Sequence, residues 1–313
     1  MDAANIVIKV IGIGGCGCNA INHMIEQDIK GVEFIAVDTA EKSLTNSHAA
    51  DKLQLGTIEN KVQNIDFNAK ICQLAALEDR EAITRLLTGA DMVILTAGLG
   101  ECSDSGALPV IAKIASELNI LAVALITYPF PYEVNRMGWA DEAFGELLEG
   151  LDMLIAWPNP SPKMSDHINI PEEFNITDQS MYQFVEDVAG AIYKEGLINF
   201  DFSDLRSLFA KSGLATTSSA TASGNHRAKM ATERAIENMA ISGASGVVVN
   251  ITSSNKLKLK EIAAAMECVQ LVAPHATILL GSVYDETMGE ALRVTVVATG
   301  LNTPHVSYSD DLK

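Results

Sequence analysis

Residues 6–20 read IVIKVIGIGGCGCNA and carry the strongest fold signal in the sequence. They join a run at 6–13 that is apolar except for Lys9 to a glycine-rich turn that leads into a helical pattern. The apolar run predicts a strand that is buried on both faces, as in a parallel sheet. Gly12, Gly14 and Gly17 fit the spacing G-x-G-x-x-G, which lets a phosphate approach the backbone at a helix N-terminus. The stretch therefore predicts an α/β domain that binds a phosphorylated ligand.

Further apolar runs of the same kind alternate with helical patterns through the first half of the chain. They lie at 34–37, 92–97, 120–127 and 153–157. Each run is too continuously apolar for a sheet with one solvated face. The pattern predicts a doubly wound parallel sheet with helices on both faces. Ligands of such sheets bind at the carboxyl ends of the strands, so the loops after these runs are expected to hold the chemistry.

The second half of the chain has a different pattern. Apolar positions at helical spacing from residue 174 predict a long central helix that joins two domains. Beyond it, apolar runs at 246–252, 276–284 and 291–299 alternate with helical stretches and predict a smaller mixed-sheet α/β domain. The Ser/Thr-rich run at 216–223 favours a strand with one small-residue face over a flexible linker.

Composition excludes several classes of function. The 313 residues are 48% hydrophobic and long enough for two domains. The formal net charge of -18 repels phosphate backbones and anionic lipid headgroups, which argues against a nucleic-acid partner and a polybasic membrane role. No apolar run approaches the about 18 residues of a membrane span, so we expect a cytoplasmic protein without direct membrane insertion. The five cysteines contain no C-x-x-C pair or zinc spacing and predict a reduced interior.

A second glycine-containing loop follows the run at 92–97. Residues 98–106 read GLGECSDSG and lead into another helical pattern. Phosphate loops after two neighbouring strands indicate a phosphate chain that is held from both sides, as in a nucleoside di- or triphosphate. The chain has no G-x-x-x-x-G-K-S/T motif, which argues against a P-loop NTPase.

Two other interpretations of the first loop stay open. Asp38 ends the second predicted strand about where the ribose-binding acid of an NAD-dependent enzyme lies, so an oxidoreductase is a rival hypothesis. A tight strand-to-helix turn without any ligand is the structural alternative.

From about Ile6 to Leu301 the chain resembles FtsZ, the tubulin-like cell-division GTPase. The segments that carry the resemblance are GGCGCNA at 14–20, GVEFIAVDT at 31–39, GLINFDFSD at 196–204, ASGN at 222–225, GVVVNIT at 246–252 and RVTVVATG at 293–300. A dehydrogenase has no reason to carry the last four. The resemblance implies a nucleotide-binding domain at 1–173, a central helix at 174–195 and a C-terminal GTPase-activating domain at 196–313.

The resemblance also implies a site for GTP or GDP. Its phosphate loops would supply Gly14, Gly15, Cys16, Gly17, Asn19, Gly98, Gly100, Ser103, Asp104, Ser105 and Gly106. Glu133 and Asn159 match the ribose contacts, and Arg136 matches an arginine near the phosphates. Phe174 and Asp178 match the residues that stack on guanine and hydrogen-bond to it. Core packing for Phe174, a solvated charge for Asp178 and a bare turn for Asn159 between two prolines are the structural alternatives.

Catalysis is implied at a loop of the second domain. In FtsZ this loop reaches into the nucleotide site of the next subunit, so the implied partner is a second copy in a head-to-tail polymer. Asn199 would orient the loop, and Asp201 and Asp204 would activate water, with a magnesium ion offsetting the developing charge. The alternative is that the two carboxylates only cap the helix that begins there.

The second glycine loop departs from the family pattern. FtsZ has G-G-G-T-G-T-G where residues 100–106 read GECSDSG. Glu101 and Asp104 thus stand beside the expected phosphates, and a like-charge pair at 4 Å costs about 4 kcal/mol at an effective dielectric of 20 but about 1 kcal/mol in water. The outcome depends on whether these carboxylates face inward, face solvent or hold a cation. The segment at 60–70 is also shorter than the family's γ-phosphate loop, so hydrolysis is expected to be slow.

Three functional hypotheses follow from the sequence. The first is a guanine-nucleotide-binding, filament-forming protein with slow or conditional GTP hydrolysis. The second is a non-hydrolysing structural or regulatory paralogue that polymerises without nucleotide or co-assembles with a conventional FtsZ. The third is an NAD-dependent enzyme, which depends on the first loop and Asp38 alone.

Overall fold

A computed structural model describes residues 6–56, 69–130, 132–157, 170–194, 196–237 and 239–301, with backbone only for 170–175. The chain divides into two compact units, whose main parts are Val7–Tyr182 and Gln183–His305. The boundary between the units lies inside helix α7, Ile170–Tyr193, which is the long helix that the sequence predicts.

The first unit is built on a parallel sheet. Its strands are β1 Ile8–Ile13, β2 Val32–Asp38, β3 Asp51–Gln54, β4 Met92–Gly98, β5 Leu121–Thr127 and β6 Met153–Trp157. They pair in the order β3-β2-β1-β4-β5-β6, and every pair is parallel, as predicted. The apolar runs do not predict β3, which is short and has two exposed residues. The strand order reverses between β1 and β4, so the crevice at their carboxyl ends is the place where such a sheet binds ligands.

Helices cover this sheet. They are α1 Gly14–Glu26, α2 Glu41–Asn46, α3 Ala69–Glu78, α4 Arg80–Leu87, α5 Cys102–Glu117, α6 Val134–Gly150 and the first part of α7. Helix α1 lies close against the sheet because two glycines remove the side chains between them. A Cβ added at Gly17 would lie 2.1 Å from the carbonyl oxygen of Thr96 on β4, and one added at Gly12 would lie 2.5 Å from the carbonyl oxygen of Gly17. Gly12 and Gly17 therefore serve helix–sheet packing.

The second unit has a mixed sheet, as predicted. Its strands are β7 Gly213–Ser223, β8 Gly246–Ser253, β9 Thr277–Tyr284 and β10 Ala291–Leu301. Within this unit the order is β7-β10-β8-β9, where β10 is antiparallel to β7 and β8, and β8 is parallel to β9. The Ser/Thr-rich run lies in strand β7, so the strand interpretation is confirmed. Helices α8 Phe202–Phe209, α9 Arg227–Ile236 and α10 Leu259–Val272 complete the unit.

The end of α7 is fixed to this second sheet by a buried carboxylate. Asp187 on α7 accepts hydrogen bonds from Thr295 Oγ1 at 2.5 Å and Asn250 Nδ2 at 3.2 Å. Arg293 Nη2 lies 3.3 Å from the same side chain. The buried charge is thus paired and hydrogen-bonded, as a charge in a protein interior must be.

A disulfide joins Cys72 on α3 to Cys102, the first residue of α5, with 5.7 Å between the two Cα atoms. The prediction of a reduced interior is wrong for this pair. The two helices approach closely because residue 106 is glycine: a Cβ added there would lie 2.2 Å from the carbonyl oxygen of Ala69 and 2.9 Å from Cys72 Cβ. The partners are 30 residues apart, so no short motif announces the bond. Cys16, Cys18 and Cys268 are free thiols.

We expect reduction of the Cys72–Cys102 disulfide to lower the free energy of unfolding by about 3–4 kcal/mol. The physical reason is the entropy that the unfolded chain regains when a closed loop of 30 residues opens. Urea unfolding with and without reductant measures the change. The variant Cys72→Ser should unfold like the reduced wild type and ignore the reductant, and Cys268→Ser should keep the wild-type response. Identical unfolding midpoints for oxidised and reduced wild type would contradict the expectation.

Candidate nucleotide-binding site

Two helix N-termini meet the carboxyl edge of the first sheet at its switch point. Helix α1 begins directly after β1, and α5 begins a short loop after β4. The residues that precede them, Ile13 and Glu101, make no side-chain capping hydrogen bond. Uncapped backbone N–H groups and the positive end of the helix dipole favour an anion at such a place. The two loops also touch, because a Cβ added at Gly98 would lie 2.8 Å from Cys16 Sγ.

The first loop is tight and its thiol is inert. Gly14 has a φ of 69°, a conformation that favours glycine. Burial raises the pKa of the Cys16 thiol to about 12, and the carboxyl group of Asp104 adds to the rise. Cys16 is therefore a neutral space-filling side chain at neutral pH. Gly15 is half-buried, and Asn19 is exposed on α1.

The hydroxyl groups of the second loop bind other parts of the protein. Ser105 Oγ accepts a hydrogen bond from the backbone N–H of Gly100 at 2.9 Å. Ser103 Oγ donates to Asp38 Oδ1 at 2.7 Å and lies 2.9 Å from Thr39 Oγ1. These contacts hold the loop in place and occupy the polar atoms that the sequence assigns to a nucleotide. Gly106 lies further along α5, against α3, where close helix packing accounts for its lack of a side chain.

Arg136 lies between two carboxylates. Its Nη1 is 2.6 Å from Glu133 Oε1 and its Nη2 is 2.5 Å from Glu101 Oε1. Its Nε donates to the carbonyl oxygen of Gly100 at 3.4 Å. Glu133 Oε2 accepts from the backbone N–H of Phe130 at 2.9 Å. The positive charge predicted near the phosphates is thus present, but it is matched by protein carboxylates.

The two carboxyl groups of the second loop, those of Glu101 and Asp104, face in different directions. The side chain of Asp104 is 0% exposed, whereas that of Glu101 is 42% exposed and pairs with Arg136. Among the described residues, the backbone N–H of Gly98 lies close enough to favour the charged form, but no donor meets full hydrogen-bond geometry at either Asp104 oxygen. Its Oδ1 lies 1.5 Å from where a Cβ on Gly14 would stand. One carboxyl group therefore faces inward, against the first loop.

The electrostatic surroundings favour the neutral form of this acid. Burial raises the pKa of Asp104 well above its usual value, and the charges of Glu101 and Asp38 raise it further. Arg136 and the backbone N–H of Gly98 act in the opposite direction with smaller effect. Such a carboxyl group keeps its proton to a higher pH than an ordinary aspartate.

Asp178 lies half-buried on α7, in the same unit as the two loops. Burial raises the pKa of its carboxyl group, while the neighbouring His23 lowers it. His23 is itself held against α7, since its ring lies edge-on to Tyr182 with 6.0 Å between centroids and its Nε2 lies 3.4 Å from Gln179 Oε1. The predicted guanine-reading carboxylate is therefore placed on an ordered helix.

Two predicted contacts cannot be placed. Phe174 belongs to the helical backbone of α7, but its side chain lies outside the described residues. Asn159 and most of the segment at 60–70 also lie outside them.

Asp38 does not have the environment of a ribose-binding acid. Its side chain is 3% exposed, and Oδ1 accepts hydrogen bonds from Ser103 Oγ and from the backbone N–H of Ala40 at 3.1 Å. The carboxylate is used inside the protein, and the oxidoreductase hypothesis loses the residue on which it depends.

The predicted catalytic loop belongs to the second unit and is fixed to β9. Ser282 donates its backbone N–H to the carbonyl oxygen of Ile198 at 2.7 Å and accepts the Ile198 N–H on its Oγ at 2.8 Å. Asn199, Asp201 and Asp204 are exposed. Asp201 is the N-cap of α8, where its carboxylate accepts from the backbone N–H of Ser203 at 3.3 Å, and Asp204 lies in the first turn. The predicted helix start is confirmed.

The sequence did not single out two hydroxyl residues at the first-unit site. Thr127 Oγ1 lies 3.7 Å from Cys16 Sγ, and Thr39 contacts Ser103. Both follow or end a strand at the edge where ligands bind, which is the signal that would have found them. In the part of the chain that the structure describes, no group of three or more His, Cys, Asp or Glu side chains is arranged to hold a metal ion. No helix within the same residues has the length and apolar character needed to cross a membrane.

The chain thus has a first unit with a doubly wound parallel sheet and a second unit with a mixed sheet. Two family models match these units in the same order. Residues 7–164 match the GTPase domain of the Tubulin/FtsZ family, and residues 213–302 match the C-terminal domain of the FtsZ family. The chain belongs to the tubulin/FtsZ family.

Individual relatives and solved structures agree with this assignment. The cell division protein FtsZ of Pseudomonas aeruginosa is 41% identical over 308 residues, which cover 96% of this chain and 78% of that protein. FtsZ of Neisseria meningitidis is 39% identical over 306 residues, 94% of this chain and 78% of that protein. The structure of an empty FtsZ dimer from M. jannaschii superimposes with a TM-score of 0.87 at 30% identity, covering 95% of this chain and 89% of the other.

We expect Asp104→Asn to raise the free energy of unfolding at pH 8 but not near pH 4. The native carboxyl group has a pKa above the 3.8 of an ordinary aspartate, so wild-type stability falls as pH rises from about 4 through the native pKa. The amide of the Asp104→Asn variant does not titrate, so the variant avoids this loss of stability. Each unit by which the native pKa exceeds the unfolded pKa corresponds to about 1.4 kcal/mol of stability that the wild type loses at high pH. The groups that face Asp104 are Glu101, Asp38, Arg136 and Cys16.

Urea unfolding of wild type and Asp104→Asn between pH 4 and 8 measures this difference. Asp141→Asn on α6 serves as the control, because it removes an exposed carboxylate from the same unit and should leave the pH profile unchanged. Parallel pH profiles for wild type and Asp104→Asn would show that the carboxyl group has no raised pKa.

Proposed function

We propose that this chain binds a guanine nucleotide in the first unit and assembles head to tail into filaments that act in cell division, with slow GTP hydrolysis at the subunit interface. The observation that carries the proposal is the pair of uncapped helix N-termini at the switch point between β1 and β4, in a chain of the tubulin/FtsZ family. The relatives from Pseudomonas aeruginosa and Neisseria meningitidis are cell division proteins.

Base selectivity is assigned to Asp178. A carboxylate accepts hydrogen bonds from both N1 and N2 of guanine, whereas adenine offers no such pair of donors. Asp178 stands four residues after Phe174, so the two positions share one face of α7. Burial adds to the selectivity, because a partly desolvated carboxylate left without donors is costly.

We expect Asp178→Ala to weaken GTP binding at least tenfold and to leave ATP binding unchanged. The reason is the loss of a charge-assisted acceptor that only guanine can use. Competition against a fluorescent guanine nucleotide gives both affinities. Asp141→Ala on α6 is the control, since it removes one exposed carboxylate from the same unit. Equal affinity of the wild type for GTP and ATP, or unchanged GTP binding in Asp178→Ala, would sink this assignment.

Assembly is assigned to a heterologous contact between the first unit of one copy and the loop at 199–204 of the next. A head-to-tail contact generates an open filament when its rotation does not close into a ring. The solved structures that resemble the chain include an FtsZ dimer from M. jannaschii and, as a likeness of fold, a GTPγS-bound protofilament of CetZ2 from Haloferax volcanii. Because each copy carries a formal charge of -18, magnesium ions or moderate salt should strengthen assembly.

Hydrolysis is assigned to the same contact. Asn199 orients the loop, and Asp201 and Asp204 polarise a water molecule beside the nucleotide of the adjacent copy. Their exposure on a loop that is fixed to β9 supports this role, because the carboxylates can meet a second copy without a rearrangement of the backbone. A magnesium ion bound with the nucleotide would offset negative charge in the transition state.

We expect GTP turnover per subunit to rise above a threshold protein concentration, because the water-activating residues and the nucleotide belong to different copies. Asp204→Ala should lower turnover at least tenfold with nucleotide binding intact. Asp201→Asn separates catalysis from helix capping, since asparagine is as good an N-cap as aspartate but lacks the charge. It should lose turnover and keep the wild-type free energy of unfolding. Phosphate release is measured against protein concentration, with sedimentation and negative-stain microscopy in parallel.

The same experiment tests the second hypothesis of a non-hydrolysing filament protein, alone or co-assembled with a conventional FtsZ. The inward-facing carboxyl group of Asp104 favours it, because this group lies beside the loop that would hold phosphate. Filaments without phosphate release support the second hypothesis. Turnover that is independent of concentration and unchanged in both variants refutes the roles of Asp201 and Asp204. Monomers under all nucleotide and salt conditions refute filament assembly.

A further inference from the structure

The first glycine of helix α1 is approached by another part of the protein. A Cβ on Gly14 would lie 1.5 Å from Asp104 Oδ1, 2.6 Å from its Cγ and 3.2 Å from its Oδ2. The whole carboxyl group therefore covers the open face of Gly14. Glycine at such a position normally lets a ligand come close to the backbone. In this protein the group that comes close is the side chain of Asp104.

This position borders the N-terminus of α1, the kind of place where an anion binds. The helix begins at Gly14 without a capping side chain, so its free N–H groups are the feature that attracts a phosphate. Asp104 comes from the first turn of α5, the other helix N-terminus of the crevice. A residue of one helix N-terminus thus places its carboxyl group against the first residue of the other.

The carboxyl group is fully buried, and no donor among the described residues, the nearby N–H of Gly98 included, meets full hydrogen-bond geometry with it. A buried polar group without a full hydrogen bond is costly, so its presence here calls for an explanation. The charged groups around Asp104 also make the site less favourable for a phosphate. Asp38 and Glu101 are further carboxylates of this site, and its arginine, Arg136, is paired with Glu101 and Glu133. The phosphate side therefore has little positive charge to offer.

We propose that Asp104 sets the ligand class of the site: its carboxyl group occupies the place of a phosphate against Gly14, so that the site takes the uncharged nucleoside and binds polyphosphates only when this group is displaced. The inference rests on the proposed function, because it concerns the same crevice. It predicts an affinity order opposite to that of a phosphate-binding loop. Guanosine binds at least as tightly as GDP or GTP.

The substitution Asp104→Ala removes the carboxyl group, and alanine is well tolerated in a helix. Asp104→Asn is the matched control, because it removes the ionisable group but keeps its volume. Isothermal titration calorimetry of guanosine, GDP and GTP at fixed pH and 0.15 M salt, on the full chain, gives the affinities. Circular dichroism and urea unfolding check that each variant folds, and Asp104→Ser replaces the alanine variant if that one does not.

We expect Asp104→Ala to raise the affinities for GDP and GTP at least tenfold and to leave the affinity for guanosine within about twofold. Asp104→Asn should stay close to the wild type for all three ligands. A wild type that binds GDP and GTP at least tenfold more tightly than guanosine, with no gain in Asp104→Ala, overturns the inference and leaves the proposed function intact. Equal gains in the alanine and asparagine variants overturn it too, because charge would then decide rather than occupancy.

Failure of the proposed function has a separate signature. If the wild type and Asp104→Ala are both folded and bind none of the three ligands at millimolar concentration, the crevice is not a guanine-nucleotide site. That result overturns both proposals at once.

Discussion

The close approach of helix α1 to the sheet is the constraint on which the first unit depends. The backbone of the helix lies against β4 because Gly17 has no side chain, and the helix turns sharply from β1 because Gly12 and Gly14 have none. This packing places one helix N-terminus at the switch point. Helix α5 places a second beside it, where its own glycine at 106 lets α3 pack closely. The position of the crevice thus follows from the close helix packing that these glycines allow.

Much of the fold was predictable because continuous apolar runs indicate strands that are buried on both faces. The strands β1, β2, β4, β5 and β6 and the mixed sheet of the second unit follow from that signal. Strand β3 has no such signal, since half of it is exposed. The Cys72–Cys102 bond could not be predicted because its partners meet through helix packing, and no local spacing encodes it.

The sequence predicted the position of the candidate site better than it predicted the chemical groups that face into the site. The loops after β1 and β4 were predicted from strand ends and glycine spacing, whereas the catalytic role of Asp201 and Asp204 was implied by the resemblance to FtsZ, and the local pattern predicted only a helix start. The direction of a side chain is set by three-dimensional packing, so the sequence could not show whether Glu101 or Asp104 faces inward. In the structure Glu101 neutralises Arg136, and Asp104 turns to Gly14. Two carboxyl groups three residues apart thus have opposite environments: that of Glu101 is half-exposed and ion-paired, and that of Asp104 is buried without an ion pair.

The Cys72–Cys102 bond also makes a covalent ring that encloses strand β4, the middle of the first sheet. A force that pulls on the two ends of a chain is carried along its backbone. With the ring closed, the 30-residue separation between the two cysteines cannot be pulled straight, which removes about 100 Å of extension from the unfolded chain. Strand β4 and the loop that follows it, as far as Cys102, therefore lie inside the ring and are shielded from a force that passes through the chain, whereas Asp104 lies outside the ring.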